Sequence, residues 1–172
     1  MVKILGILMI LLGAAGTGLK YSNEIREYIE SLQELRRMIE YIKGEINYRN
    51  CSLAEAFHGV EKKVKKPYNQ FCRGIYQQIE DGTGCSFSEI FMRCIQKELN
   101  HVLLKNDDKE QLGLIGEQLG YLDKEMQIHN LEHYGMELED KISRLKKESK
   151  DKMKLCNCLG IVGGLFLIII LL

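Results

Sequence analysis

The stretch Tyr21–Arg49, YSNEIREYIESLQELRRMIEYIKGEINYR, decides how the chain is read. Its apolar side chains fall on a heptad, Ile25, Tyr28, Ile29, Leu32, Leu35, Ile39, Ile42 and Ile46, with charged residues between them. A stripe at that spacing lies along one face of an α-helix and needs an apolar partner face. The spacing recurs in Ile128, Leu131, Leu138, Ile142 and Leu145. The two stretches are therefore expected to pair as long antiparallel helical rods.

Shorter helices with readable starts lie between the rods. Ser52 with Glu55 forms a capping box opening a helix from Leu53 to about Glu61, and Ser86 with Glu89 opens another from Phe87 to about Leu99. Around these boxes Cys51-Ser-Leu-Ala-Glu-Ala-Phe57 echoes Cys85-Ser-Phe-Ser-Glu-Ile-Phe91, which suggests two similar helix pairs stacked in one bundle. Pro67 suits the first turn of a helix carrying Tyr68, Phe71, Ile75 and Ile79 inward, and Asp81-Gly-Thr-Gly84 ends it as a turn. Asn106, Asp107 and Asp108 cap a helix through Leu112, Ile115 and Leu119, with Gly120 marking a bend or close contact before the closing rod. A single proline, no tryptophan and no strand-like alternation complete the expectation of an all-α fold, a bundle of about six helices over residues 21–154.

Both ends turn apolar. Leu155–Leu172, LCNCLGIVGGLFLIIILL, carries no charge. At ~1.5 Å per residue it reaches roughly 27 Å, close to the ~30 Å hydrocarbon core of a bilayer. Val2–Leu19 is interrupted only by Lys3. The two segments are expected to be transmembrane helices at residues 1–20 and 155–172. Lys141, Arg144, Lys146, Lys147, Lys150, Lys152 and Lys154 precede the second, and cations collect on the cytoplasmic side of membranes, so the bundle is expected to face the cytoplasm. Gly13 with Thr17, and Gly160 with Gly164, put small residues four apart, a spacing that lets membrane helices approach closely; the two spans could pack together or each bind another membrane subunit. The alternative is an exported, tail-anchored protein whose first segment is a cleaved signal peptide.

Signals for chemistry are weak. A net charge of zero argues against nucleic-acid binding. Six cysteines without a CxxC pair read as reduced, mostly buried thiols. His129 and His133 stand one turn apart, but Glu132 precedes the second histidine instead of following the first, so a solvent-exposed pair is preferred over a zinc-dependent enzyme. No catalytic residue, metal ligand or cofactor is assigned. The lysines Lys62, Lys63, Lys65 and Lys66, and the acidic Glu132, Glu137, Glu139 and Asp140, are separate candidate docking faces.

The segment Gly116-Glu-Gln-Leu-Gly120-Tyr-Leu-Asp123-Lys-Glu-Met-Gln127, set between two apolar ends, the Glu45–Phe57 segment and a Lys-rich closing helix, resembles the stage III sporulation protein AB family over essentially the whole chain. A Pro-Leu pair and a tryptophan often found in that family are here Ser52-Leu53 and Phe91. The resemblance implies a subunit of the channel complex between mother cell and forespore, whose middle domain is similar to the cytoplasmic bundles of type II secretion and type IV pilus platform proteins. It implies a non-catalytic scaffold in the mother-cell membrane around the forespore. The implied partner is the ATPase of the same complex; the glycine faces and the lysine cluster add other membrane subunits and membrane lipid as expected partners, and self-association into a homo-oligomer is a further option. Gly116, Leu119, Gly120, Asp123 and Gln127 are the positions carried over from the motif. Gly120 would allow close helix approach, and Asp123 and Gln127 could share a polar contact.

Overall fold

The computed structural model describes the backbone of residues 2–49, 51–82 and 84–171, and the side chains of residues 23–49, 51–82 and 84–152. Six helices and no strand occur among them: α1 (Val2–Arg49), α2 (Leu53–Glu61), α3 (Tyr68–Glu80), α4 (Phe87–Glu98), α5 (Asn106–Leu119) and α6 (Lys124–Leu171). The six helices and the absence of strands among the described residues agree with the expected all-α bundle, and the two rods run on into the apolar ends. No proline or turn signal separates the rods from the apolar ends, so α1 and α6 each contain both, and four helices lie between them. The expected spans at 1–20 and 155–172, with Gly13, Thr17, Gly160 and Gly164, lie outside the described side chains. Among the described residues, no helix is long and apolar enough to cross a membrane.

Glu30–Asp140 forms one compact unit, and Met1–Ile29 with Lys141–Leu172 forms another. Tyr28, Ile29 and Ile142 are buried in the latter. Within Glu30–Asp140, the α1 stripe Leu32, Leu35, Ile39, Ile42 and Ile46 is fully buried, as are Leu131, Tyr134 and Leu138 of α6. Polar contacts fix the antiparallel register of the two helices. Arg36 Nη2 lies 2.6 Å from Glu139 Oε2 and Lys43 Nζ 3.9 Å from Glu132 Oε1, while Lys124 Nζ donates to the Asn47 carbonyl at 3.4 Å. Residue numbers rise along α1 as they fall along α6.

Both serine capping boxes form. Glu55 and Glu89 backbone N–H groups donate to Ser52 and Ser86 Oγ at 3.3 Å, and the Ser52 and Ser86 N–H groups donate back to the Glu55 and Glu89 carboxylates at 2.9 Å. Each box satisfies two donors that a helix start leaves open. Asp108, not Asn106, caps α5, its buried carboxylate accepting the Lys105 N–H at 2.9 Å. After α3 the chain turns through Gly82 and Gly84, both at positive φ, where a side chain would be strained. Helix α2 packs on α3, α3 on α4 and α4 on α5. Phe57, Phe71 and Phe91 meet edge-to-face at the centre, with ring centroids 5.1 to 6.4 Å apart. Phe57 and Phe91 are the matching ends of the internal echo, so the two helix pairs join through equivalent residues.

Besides Asp108, the described residues bury a second carboxylate. Glu45 lies beside the apolar stripe of α1, and its carboxylate accepts from Lys63 Nζ and from Arg49 Nη1, the latter at 3.0 Å. Gly59 of α2 leaves room for it, since a Cβ there would sit 3.0 Å from the carboxylate. Lys63 therefore ties the α2–α3 loop to α1 and is no free member of the lysine cluster. The Lys63 hydrogen bond holds the Glu45 carboxyl below its ordinary value of 4.5, outweighing the opposing effect of burial. A carboxyl with a depressed folded-state pKa stabilises the fold above its unfolded value, and that contribution is lost as pH falls through the folded value. Glu45→Gln should cost about 1–3 kcal/mol in urea unfolding at neutral pH and flatten the loss of stability below pH 4.5; a wild-type response on both counts contradicts this role.

Candidate functional site

The motif residues sit where α5 ends and α6 begins. Gly116 is buried on the face of α5 that meets α4, where a Cβ would lie 2.1 Å from Phe91 Cδ1 and 2.5 Å from its Cγ. Only glycine accommodates the ring of the aromatic cluster at that point. Gly113, one turn earlier, would bring a Cβ 2.6 Å from Met92 Sδ. Gly120 stands looser, 3.3 Å from Phe87 Cβ by the same measure, and has ordinary right-handed backbone at the α5 C-cap. The closest helix approach therefore belongs to Gly116. Leu119 is fully buried beside it.

Asp123 and Gln127 each bond backbone, which corrects the expectation that their side chains pair. Asp123 Oδ1 accepts the Met126 N–H at 3.0 Å, capping the start of α6. Gln127 Nε2 donates to the Leu119 and Leu122 carbonyls at 2.9 and 3.1 Å. A helix end leaves its last carbonyls unpaired and a helix start its first amides, so these backbone groups outcompete a side-chain pair one turn apart. The Gln127 backbone N–H meets the Asp123 carbonyl at 2.9 Å, and Asn130 Nδ2 braces the corner by donating to Gln118 Oε1 at 2.9 Å. These motif polar groups build the α5–α6 corner.

The same end of the bundle exposes large side chains. Tyr121 in the corner is 79% exposed and Tyr48, near the end of α1, is 87% exposed. Met126, two residues beyond Lys124, is also exposed, and the Lys124–Asn47 contact brings the end of α1 beside the start of α6. No sequence signal singled these residues out. Tyr48 does lie off the apolar stripe, two positions beyond Ile46, which marks it as facing away from the seam.

The histidine spacing on α6 puts both rings in solvent, with His133 Nδ1 3.5 Å from Glu137 Oε1. Among the described residues, no group of three or more His, Cys, Asp or Glu side chains could hold a metal ion. His58 stacks on Tyr76 with ring centroids 4.4 Å apart. Cys72 and Cys94 are buried, and desolvation pushes the Cys94 thiol up to about 11 and the Cys72 thiol higher still. Neither is set up as a nucleophile at neutral pH. Cys156 and Cys158 lie outside the described side chains.

Comparisons with known proteins agree with the helical fold. A family model described as Stage III sporulation protein AB matches residues 3–172. A solved structure of stage III sporulation protein AB superposes with a TM-score of 0.64 at 21% identity, covering 72% of this chain and 97% of that one, a likeness of fold. A search of curated proteins finds no match. The chain belongs to the stage III sporulation protein AB family.

Proposed function

We propose that the chain is a non-catalytic platform subunit of the channel complex between mother cell and forespore, and that it docks the complex's ATPase on the cytoplasmic face. Family membership gives it a role in sporulation. The platform reading adds two apolar ends as anchors in the mother-cell membrane around the forespore, with Gly13, Thr17, Gly160 and Gly164 contacting other membrane subunits. The ATPase then meets the bundle at the helix ends farthest in sequence from those anchors.

The observation that carries this reading is the pair of exposed tyrosines with Met126. Tyrosine and methionine are enriched in protein interfaces, where a rigid aromatic supplies contact area at small entropic cost. Their exposure is not required by the fold, since the corner is already held by Asp123, Gln127 and Asn130.

In the full-length chain, Tyr48→Ala with Tyr121→Ala should lower co-purification of the complex's ATPase by about tenfold or more and change folding stability by no more than about 0.5 kcal/mol. Gly116→Ala should behave oppositely in stability, costing about 1–3 kcal/mol through overpacking against Phe91. Undiminished ATPase capture by the double tyrosine variant would remove the docking site from this end.

A further inference from the structure

Two faces of Glu30–Asp140 carry opposite charge in a specific arrangement. Where the α2–α3 loop crosses α1, Glu34 Oε1 accepts the Lys65 backbone N–H at 2.8 Å and Glu34 Oε2 lies 3.0 Å from Arg37 Nη1. Arg73 Nε donates to Glu61 Oε1 at 2.7 Å, and Lys62 follows in sequence. The carboxylates lie beneath the cations: Glu34 and Glu61 side chains are 12% and 13% exposed, against 51% for Arg37 and 53% for Arg73. Lys62, Lys65 and Lys66 are exposed as well. Five cations over two sunken carboxylates present a cationic surface.

The α6 side of α1 has the inverse layering. Arg36 and Lys43 are 37% and 23% exposed, and their partners Glu139 and Glu132 are 55% and 54% exposed. Asp140 and Met136 are exposed on the solvent side of α6 next to these carboxylates, and Glu137 is exposed farther round the helix, on the flank of His133. Here the carboxylates are outermost. Helix α1 divides the two faces, since Glu34 and Arg37 turn to the loop while Arg36 and Lys43 turn to α6.

We infer that copies of the chain associate head to tail, the lysine face of one seated on the α6 carboxylate stripe of the next. The occupant is a second copy because the complement of each face is present on the same molecule. A lysine face cannot complement itself, so the contact is heterologous and extends into a ring or row instead of closing as a twofold dimer. Individual exposed ion pairs contribute only about 0.2–1 kcal/mol, and salt screens them within ~10 Å. Association therefore depends on several pairs acting together and is strengthened where copies share a surface that raises their effective concentration. The inference does not depend on ATPase docking.

Full-length copies bearing two different epitope tags, co-expressed in bacterial membranes and treated with a zero-length carbodiimide, provide the test. A mixed-tag product should form, joining Lys62, Lys65 or Lys66 to Glu137, Glu139 or Asp140 on peptide mapping, and its yield should fall as salt is raised. Lys62→Glu with Lys66→Glu in both copies should reduce it about tenfold, as should Glu137→Lys with Asp140→Lys in both copies. Pairing one copy of each variant should restore it, which also shows that both variants fold. The inference is overturned if no mixed-tag product forms, if neither reversal lowers it, or if the complementary mixture stays as low as each reversal by itself.

Discussion

The antiparallel seam between α1 and α6 is the contact on which Glu30–Asp140 depends. Helices of 9 to 14 residues, the lengths of α2 to α5, are marginal by themselves in water and need a packed face to persist. The stripe from Leu32 to Ile46 supplies one wall of that packing and the Leu131 to Leu138 stripe another. Each fully buried Leu or Ile contributes about 1.5–3 kcal/mol relative to exposure, so displacing either wall would leave more apolar surface open than the capping bonds could offset. Register follows from Arg36, Lys43 and Asn47, whose α6 partners descend in order.

Polar groups inside or beneath the surface are assigned to holding elements together. Glu45 joins α1 to the α2–α3 loop through Lys63, Asp108 caps α5, and Gln127 takes up the last carbonyl of α5 and that of Leu122 in the corner. The thiols of Cys72 and Cys94 are held protonated by burial. What these groups leave for interaction is surface: an aromatic end at Tyr48 and Tyr121, and two layered charge faces.

Features set by neighbours in sequence were legible before the structure. The Ser52–Glu55 and Ser86–Glu89 boxes are local hydrogen-bond devices, and the heptad registers the face of a helix whatever covers it. Features set by distant residues were not. Glu45 reads as one more charge beside the stripe, because Lys63 is 18 residues away along the chain. Family resemblance marked Gly116, but its reason is the Phe91 ring of another helix. Asp123 and Gln127 have the spacing of a side-chain pair; Asp123 instead makes a local N-cap to Met126, and the bend at the corner brings the Leu119 carbonyl within reach of Gln127. Tyr48 shows in sequence only as a position off the stripe, and Tyr121 carries no periodic signal.

The register of α1 on α6 can be measured directly in the full-length chain by distance spectroscopy, with nitroxide-bearing noncanonical side chains that leave the six cysteines untouched. Labels at Lys43 and Glu132 replace residues in contact, whereas Glu139 lies seven positions farther along α6. With a further label at Arg36, the fold predicts similar, short 36–139 and 43–132 separations and a 43–139 separation longer by about 5 Å, since ~10 Å along the helix axis adds at right angles to the lateral offset. A 36–139 separation far longer than 43–132, as a parallel pairing with Lys43 at Glu132 would give, would contradict the antiparallel seam and the bundle built on it.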